Sequence, residues 1–341
     1  MTRRELIAGS LALTLQGKQE EAVELIEKQT SSGDVSAANL YVRNKAQVLE
    51  KSFGKAGDAN AVYLLASITK PMTASAVMML VDRKEVALTD AVQKFVPEFQ
   101  HKDVTVKHLL THTSGLPDMP PENVELRKRH APLSEFVAGT CKTPLLFKPG
   151  SEVRYQSMGI LVASEIVRRT TKQDFPKFLQ ERLYRPLGMK QTSLGLGNRS
   201  ISQTMQVQVD EHNDWDWNSS YWRNLGSPWG GAHASAGDIG RFLQFFSHPD
   251  AKVLKPETAR QMITEQTPGM KQRWGLGWSL DYGKVGKALS SATYGHGGST
   301  GTLSWHDPQK ELTFVLLTTK PADKSSKTLL YPAAEMISAT A

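Results

Sequence analysis

The chain has 341 residues, 39% apolar and 22% charged, enough to bury a large core in one two-part unit or two domains. Its formal net charge of +7 modestly favours anionic partners. The basic residues are scattered, however, and the one cluster, Arg127-Lys128-Arg129-His130, comes with no nucleic-acid-binding motif, so it reads as a solvated face and no nucleic-acid partner is expected. A single cysteine, Cys141, excludes an intrachain disulfide. No run approaches the roughly 18 apolar residues of a membrane span.

The first 17 residues read two ways. Arg3-Arg4 followed by Ala8-Gly9-Ser10-Leu11-Ala12-Leu13 resembles a twin-arginine export signal, though its apolar core is short and no clear cleavage site precedes Gln16-Gly17-Lys18. The same stretch also reads as the start of an amphipathic helix in a chain that stays in the cytoplasm, the reading adopted here. Residues 18 to 31 space Ala22, Leu25 and Ile26 along one helical face, and Ser32-Gly33-Asp34 breaks it. Residues 37 to 42 and 47 to 54 read as two strands around a polar turn. A helix is expected over 67 to 84, with Ala74, Val77, Met78 and Val81 facing a core. A helix-rich middle follows from about 90 to 225, with a strong helical run from Gly159 to Val167. After helix 236 to 247, the segments 274 to 280, 293 to 297, 302 to 306 and 312 to 318 read as strands, and 324 to 340 as a closing helix.

Within this order, Ser67-Ile68-Thr69-Lys70 stands out. Residues three apart share a helix face, so Lys70 lies one turn from Ser67. A serine hydroxyl becomes a nucleophile when a base takes its proton, and a lysine can serve once burial lowers its pKa. Pro71 fits only near a helix start, which puts Ser67 where free N–H groups and the helix dipole favour negative charge.

Two further segments follow in order: Tyr155-Gln156-Ser157 after Pro149-Gly150, and His296-Gly297-Gly298-Ser299-Thr300-Gly301. The series S-x-x-K, Y-x-S, H-x-G resembles the active-site triplet of class C β-lactamases, D-Ala-D-Ala peptidases and the β-lactamase-like (family VIII) carboxylesterases. The stretches His108 to Leu116, Pro186 to Met189, Gly230 to Asp238 and Trp274 to Trp278 look like framework signatures of the same superfamily, and the resemblance covers roughly residues 20 to 335.

The resemblance implies an α/β (α+β) fold: an antiparallel sheet flanked by terminal helices, with an inserted, mostly helical domain. Residues 18–85 together with 228–341 would form the sheet domain and 86–227 the helical one, with the cleft between them. It implies Ser67 as acylated nucleophile, with Lys70 and Tyr155 as proton acceptor and relay in either order. The backbone N–H groups of Ser67 and Ser299 would form the oxyanion hole. Ser157 stands where class C β-lactamases often carry an asparagine that contacts the lysine and the substrate. His296 stands where they usually carry a lysine suited to a substrate carboxylate. With Gly297 and Gly298, which let the strand approach a ligand closely, these residues would line the substrate site. Both departures point away from carboxylate-bearing penicillins. The expected function is therefore a cofactor-free, metal-free serine hydrolase, a carboxylesterase on short-chain esters. The alternatives are a β-lactamase or D-Ala-D-Ala carboxypeptidase or amidase of the same fold, and a penicillin-binding sensor without turnover. The expected partner is a small ester or amide; oligomeric state is not legible.

Three features compete with this reading. Gly297-Gly298-Ser299-Thr300-Gly301 fits the G-x-S-x-G nucleophile elbow, but that fold needs a helix next and an acid then a histidine downstream, and the order fails here. His108 and His112 are four apart, as zinc ligands can be, but lack the neighbouring glutamate of H-E-x-x-H. Trp215, Trp217, Tyr221, Trp222 and Trp229 crowd one stretch, which reads equally as interior packing and as an apolar substrate pocket.

Overall fold

The computed structural model of the chain describes residues 3–283 and 285–340, with 3–16 as backbone only. Its first element is a long helix, α1 (Arg3–Ser31). The helix expected from residue 18 therefore begins earlier. The side chains on which the export-signal reading falls lie outside the described ones.

A hairpin follows, β1 (Ala37–Asn44) and β2 (Gln47–Gly54). Near the other end come β6 (Tyr294–Gly298), β7 (Thr302–Asp307) and β8 (Leu312–Thr318). The five make one antiparallel sheet in the order β2-β1-β8-β7-β6, so β1 is zipped to β8 with Leu40 opposite Leu316 and Val42 opposite Phe314. Successive strand residues point to opposite faces, and the sequence sorts itself accordingly. Ala38, Leu40 and Val42 of β1 and Leu312, Phe314 and Leu316 of β8 join one core, with Ala22 and Ile26 of α1 and with Ala333 and Ile337 of α12 (Tyr331–Ser338). Tyr41, Val315 and Leu317 face the other core. A sheet covered on both sides has no solvated face, which is why β7 and β8 are buried along their whole length.

Between the hairpin and β6 lies mainly helix: α2 (Thr69–Asp82), α3 (Val106–Leu110), α4 (Asn123–Lys128), α5 (Leu133–Lys142), α6 (Met158–Thr171), α7 (Phe175–Leu179), α8 (Ser220–Leu225), α9 (Ala236–Phe245) and α10 (Pro256–Met262). Three short strands, β3 (Tyr63–Leu64), β4 (Ser193–Leu194) and β5 (Ala232–Ala234), form a second small sheet. The single turn α11 (Ala322–Ser325) precedes α12. α2 is buried on every side from Thr69 to Leu80 rather than along one stripe. Its polar residues are therefore bonded internally: Thr73 Oγ1 donates to the Pro228 carbonyl at 2.6 Å and Ser75 Oγ to that of Pro71 at 2.8 Å.

One expected strand is absent. Residues 274–280 form a tight turn held to the sheet by isolated bridges, Trp274 to Ser279 and Ser279 to Gly295. Gly277 takes a φ of +82°, which L side chains rarely adopt, and its N–H donates to the Leu110 carbonyl at 2.8 Å. No described helix is long and apolar enough to cross a membrane.

Candidate active site

The turn that carries Ser67 is set up by its neighbours. β3 ends at Leu64, a short 3-10 turn spans Ala66–Ile68, and α2 starts at Thr69. Ser67 thus stands just ahead of α2 instead of inside one helix running from 67. Pro71 is the third residue of α2, where its missing N–H would have no intrahelical partner in any case. Ala66 holds a φ of +47°, costly for a residue with a Cβ. Thr69 Oγ1 pins the turn, donating to the Ala66 carbonyl at 2.7 Å and accepting the Ala232 N–H at 3.0 Å.

Lys70 is fully buried, and its Nζ lies 2.9 Å from Ser67 Oγ and 3.1 Å from the Trp229 carbonyl oxygen. Burial drags its pKa down to about 7, against the opposing pull of the Asp118 charge. A neutral amine that donates one N–H to the Trp229 carbonyl keeps its lone pair free for the serine proton. The Tyr155 ring lies 4.7 Å from Lys70 Nζ, and its hydroxyl pairs with Ser67. Burial pushes the Tyr155 phenol well above its ordinary value, the bond to Ser67 opposes this, and Asp118 adds to it. Tyr155 is therefore a phenol rather than a phenolate at neutral pH.

His296 is buried on β6. Its Nδ1 is 2.7 Å from the Gly297 carbonyl, so the hydrogen sits on Nδ1 and Nε2 carries a lone pair with no partner among the described residues. Burial first, and then the nearby Lys70, lowers its pKa to about 3, so it is neutral throughout the physiological range. Ser67, Tyr155, His296, Gly297, Gly298 and Ser299 share one cavity of about 500 Å³. Its far wall is apolar and aromatic, built by Trp274, Tyr282, Val285, Leu303, Leu330 and Tyr331.

Several sequence expectations change here. Among the described residues, Ser157 makes no hydrogen bond to Lys70. Its Oγ donates to Asp118 Oδ1 at 2.7 Å, while Asp118 itself is exposed. Gly298 lines the cavity, and both it and Gly301 are also required by packing. A Cβ on Gly298 would collide with the Leu65 carbonyl, and Gly301, at φ +92°, lies against the Lys320 carbonyl. Of the aromatic stretch, Trp222 and Trp229 belong to the interior, while Trp215, Trp217 and Tyr221 are half-buried. Trp222 and Trp229 are each 4% exposed, Trp229 packs on Phe136, and none of the five aromatics lines the Ser67 cavity. Ser299 sits in the turn of the β6–β7 hairpin, with a strand after it and no helix. His108 Nδ1 accepts the Thr105 N–H at the start of α3, and His112 lies beyond the end of that helix, so the two do not share a helical face. Sequence reasoning missed Asp118 and the Trp229 carbonyl. Asp118 follows the His112-to-Leu116 signature and could have been asked about, whereas a backbone carbonyl leaves no mark in a sequence.

Comparison with known proteins agrees with this architecture. A sequence model of the Beta-lactamase family matches residues 22–335. Protein flp of Staphylococcus aureus (strain MW2) is 29% identical over 229 residues, 60% of this chain and 46% of that protein, so the chain spans about half the length of that relative. A putative D-alanyl-D-alanine carboxypeptidase of Salmonella agona is 24% identical over 87% of this chain and 81% of its own. Among solved structures, EstCE1, a hydrolase with promiscuous acyltransferase activity, superposes with a TM-score of 0.74 at 19% identity, covering 97% of this chain and 100% of that one. A penicillin-binding protein homologue from Caulobacter crescentus gives 0.76 at 20% identity over 95% and 98%. The structural likenesses speak to the fold, and the family match speaks to descent: the chain belongs to the beta-lactamase family of serine hydrolases.

Proposed function

We propose that the protein is a carboxylesterase that forms an acyl-enzyme on Ser67 and acts on short-chain, uncharged esters. The observation that carries the reading is the buried Lys70 amine, 2.9 Å from Ser67 Oγ, with its pKa lowered to about 7. Neutral Lys70 accepts the Ser67 proton as Oγ attacks the ester carbonyl. The backbone N–H groups of Ser67 and Ser299 receive the oxyanion, a contribution of about 3 kcal/mol per donor. Tyr155, a phenol bonded to Ser67, passes a proton to the departing alkoxide and regains it from Lys70. Water then attacks the acyl-enzyme by the reverse sequence.

The choice of ester over β-lactam or D-Ala-D-Ala rests on the cavity walls. Among the described residues lining it there is no Lys or Arg; the one charged side chain is Asp281. His296 offers a lone pair, not a cation. A substrate carboxylate has no fixed positive partner there, whereas a neutral ester needs none.

The test is steady-state kcat/KM for p-nitrophenyl acetate, butyrate and octanoate beside nitrocefin, for wild type and Ser67→Ala. Ester turnover should exceed nitrocefin turnover at least tenfold, and the mutant should lose on the order of 10⁴-fold or more. Nitrocefin cleavage rivalling the esters would sink the substrate assignment. Ester activity surviving in Ser67→Ala would sink the nucleophile.

A further inference from the structure

Tyr155 lies in an irregular loop ahead of α6, and nothing in that loop's own hydrogen bonding fixes where its hydroxyl points. His112 is bonded to that loop. This residue is fully buried and adopts a φ of +59°, a left-handed conformation that is strained for a residue with a side chain. In that conformation its carbonyl accepts the Arg154 N–H at 2.9 Å, and its imidazole Nδ1 accepts the Gln156 N–H at 3.3 Å. The two bonds fall on the residues immediately before and after Tyr155. The imidazole also lies 4.8 Å from the Tyr155 ring and meets the Trp274 ring edge-on at 4.4 Å.

Because Nδ1 accepts, the ring hydrogen sits on Nε2, which has no partner among the described residues. A core histidine kept only for packing would use neither the strained backbone nor an unpaired N–H. Burial first, then the nearby Lys70 and His296, keep the ring neutral, as an Nδ1 acceptor must be.

We propose that His112 is a positioning residue for Tyr155: it grips the chain on both sides of the tyrosine, braces its ring, and thereby sets the Tyr155 hydroxyl against Ser67. The proposal rests on the proton-handling role given to Tyr155 above.

Two substitutions separate the grip from the fold. Glycine takes a φ of +59° without strain but removes the imidazole. Asparagine tolerates the same conformation, and its side-chain oxygen stands where Nδ1 stands. For p-nitrophenyl butyrate, His112→Gly should lower kcat by about 10–10²-fold, the scale of a misplacement near 1 Å, with KM changed less than about threefold. His112→Asn should recover most of that loss. On a Tyr155→Phe background, His112→Gly should cost no more than about twofold further, because the histidine acts through the tyrosine. Additive losses in this double-mutant cycle, or a His112→Asn as impaired as His112→Gly, would overturn the proposal. If the glycine variant does not fold, the same cycle is run with His112→Ser. Failure of the underlying reading looks different: Tyr155→Phe alone would then match wild type.

Discussion

Lys70 shows a conflict between stability and function within one side chain. Its pKa falls from the ordinary lysine value to about 7 because the charged form loses its hydration on burial. Ester kcat/KM should accordingly rise with pH through about 7 as the amine becomes a base, and a profile flat from pH 5.5 to 8.5 would remove Lys70 from that role. The stability sign follows from the same shift. Between pH 7 and 10.5 the unfolded chain holds a proton that the folded chain has released, so wild-type stability climbs by about 1.4 kcal/mol per pH unit from this group. Lys70→Met removes that burden and forfeits the bond to the Trp229 carbonyl, worth about 1–3 kcal/mol when left unpaired. The burden is the larger, so the inactive Lys70→Met should unfold at a higher temperature than wild type at pH 7, with the gap closing toward pH 10. At this scale Ser67 and Lys70 were legible as a pair because they stand three apart, whereas Tyr155 was tied to them only by the motif resemblance; the structure sets its hydroxyl beside Ser67. Asp118 and Trp229 were not legible because they reach the site through tertiary contact, one by a side-chain bond to Ser157 and one by its backbone.

Among elements, the β6–β7 hairpin and the Ser67 turn are built as one joint. Thr300 Oγ1 donates to the Leu64 carbonyl at 2.6 Å and Thr302 Oγ1 to the Leu65 carbonyl at 2.9 Å, while Gly298 presses its bare Cα against the same Leu65 carbonyl. Gly298→Ala should force the hairpin off the turn. We expect ester kcat/KM to fall by about 10²-fold or more with far-UV circular dichroism unchanged, and activity within twofold of wild type would show that the joint has slack. The misread strand has a related cause. Trp274-Gly275-Leu276-Gly277-Trp278 alternates as a strand does, and both tryptophans are buried, but Gly277 turns left-handed and brings the backbone onto α2 beside Ala74 and Pro71. Alternation reports burial on one side; it does not report the conformation of a glycine. β1 and β8 were readable because their apolar residues alternate between two different cores, and β2 and β7 because theirs alternate against one.

Across the whole molecule, four of the nine histidines are neutral interior residues. His112, His233, His296 and His306 are all buried, and burial is the first cause of lowered pKa in each, to about 3 for His233 and His296 and about 4 for His306. Their unfolded counterparts take up protons below pH 6.5 while the folded ones do not. Each therefore withdraws up to about 1.4 kcal/mol of stability per pH unit as pH falls from 6.5 toward its folded value. The urea midpoint should drop steeply between pH 6.5 and 4, and His233→Leu should make that drop shallower. An equal slope in the variant would mean that carboxylates dominate the acid transition. Fold class was legible at this scale from element order together with the motif resemblance, but which strand neighbours which was not, because pairing across the length of the chain leaves no local pattern.

That long-range pairing has a consequence for how the protein comes into being. Ala37 at the head of β1 donates its N–H to Thr319, 282 residues later, just past β8. Closing so wide a loop is not forbidding thermodynamically, since the entropy grows only with the logarithm of length, but contacts of this range slow the search for the native state. Ser67 and Lys70 are translated early; His296 and Ser299, which complete the cavity, are translated late and lie on the β6–β7 hairpin, which joins β1 only through β8. A nascent chain carries Ser67 long before it carries the walls around it, so under the proposed mechanism ester hydrolysis should appear only once synthesis has passed β8.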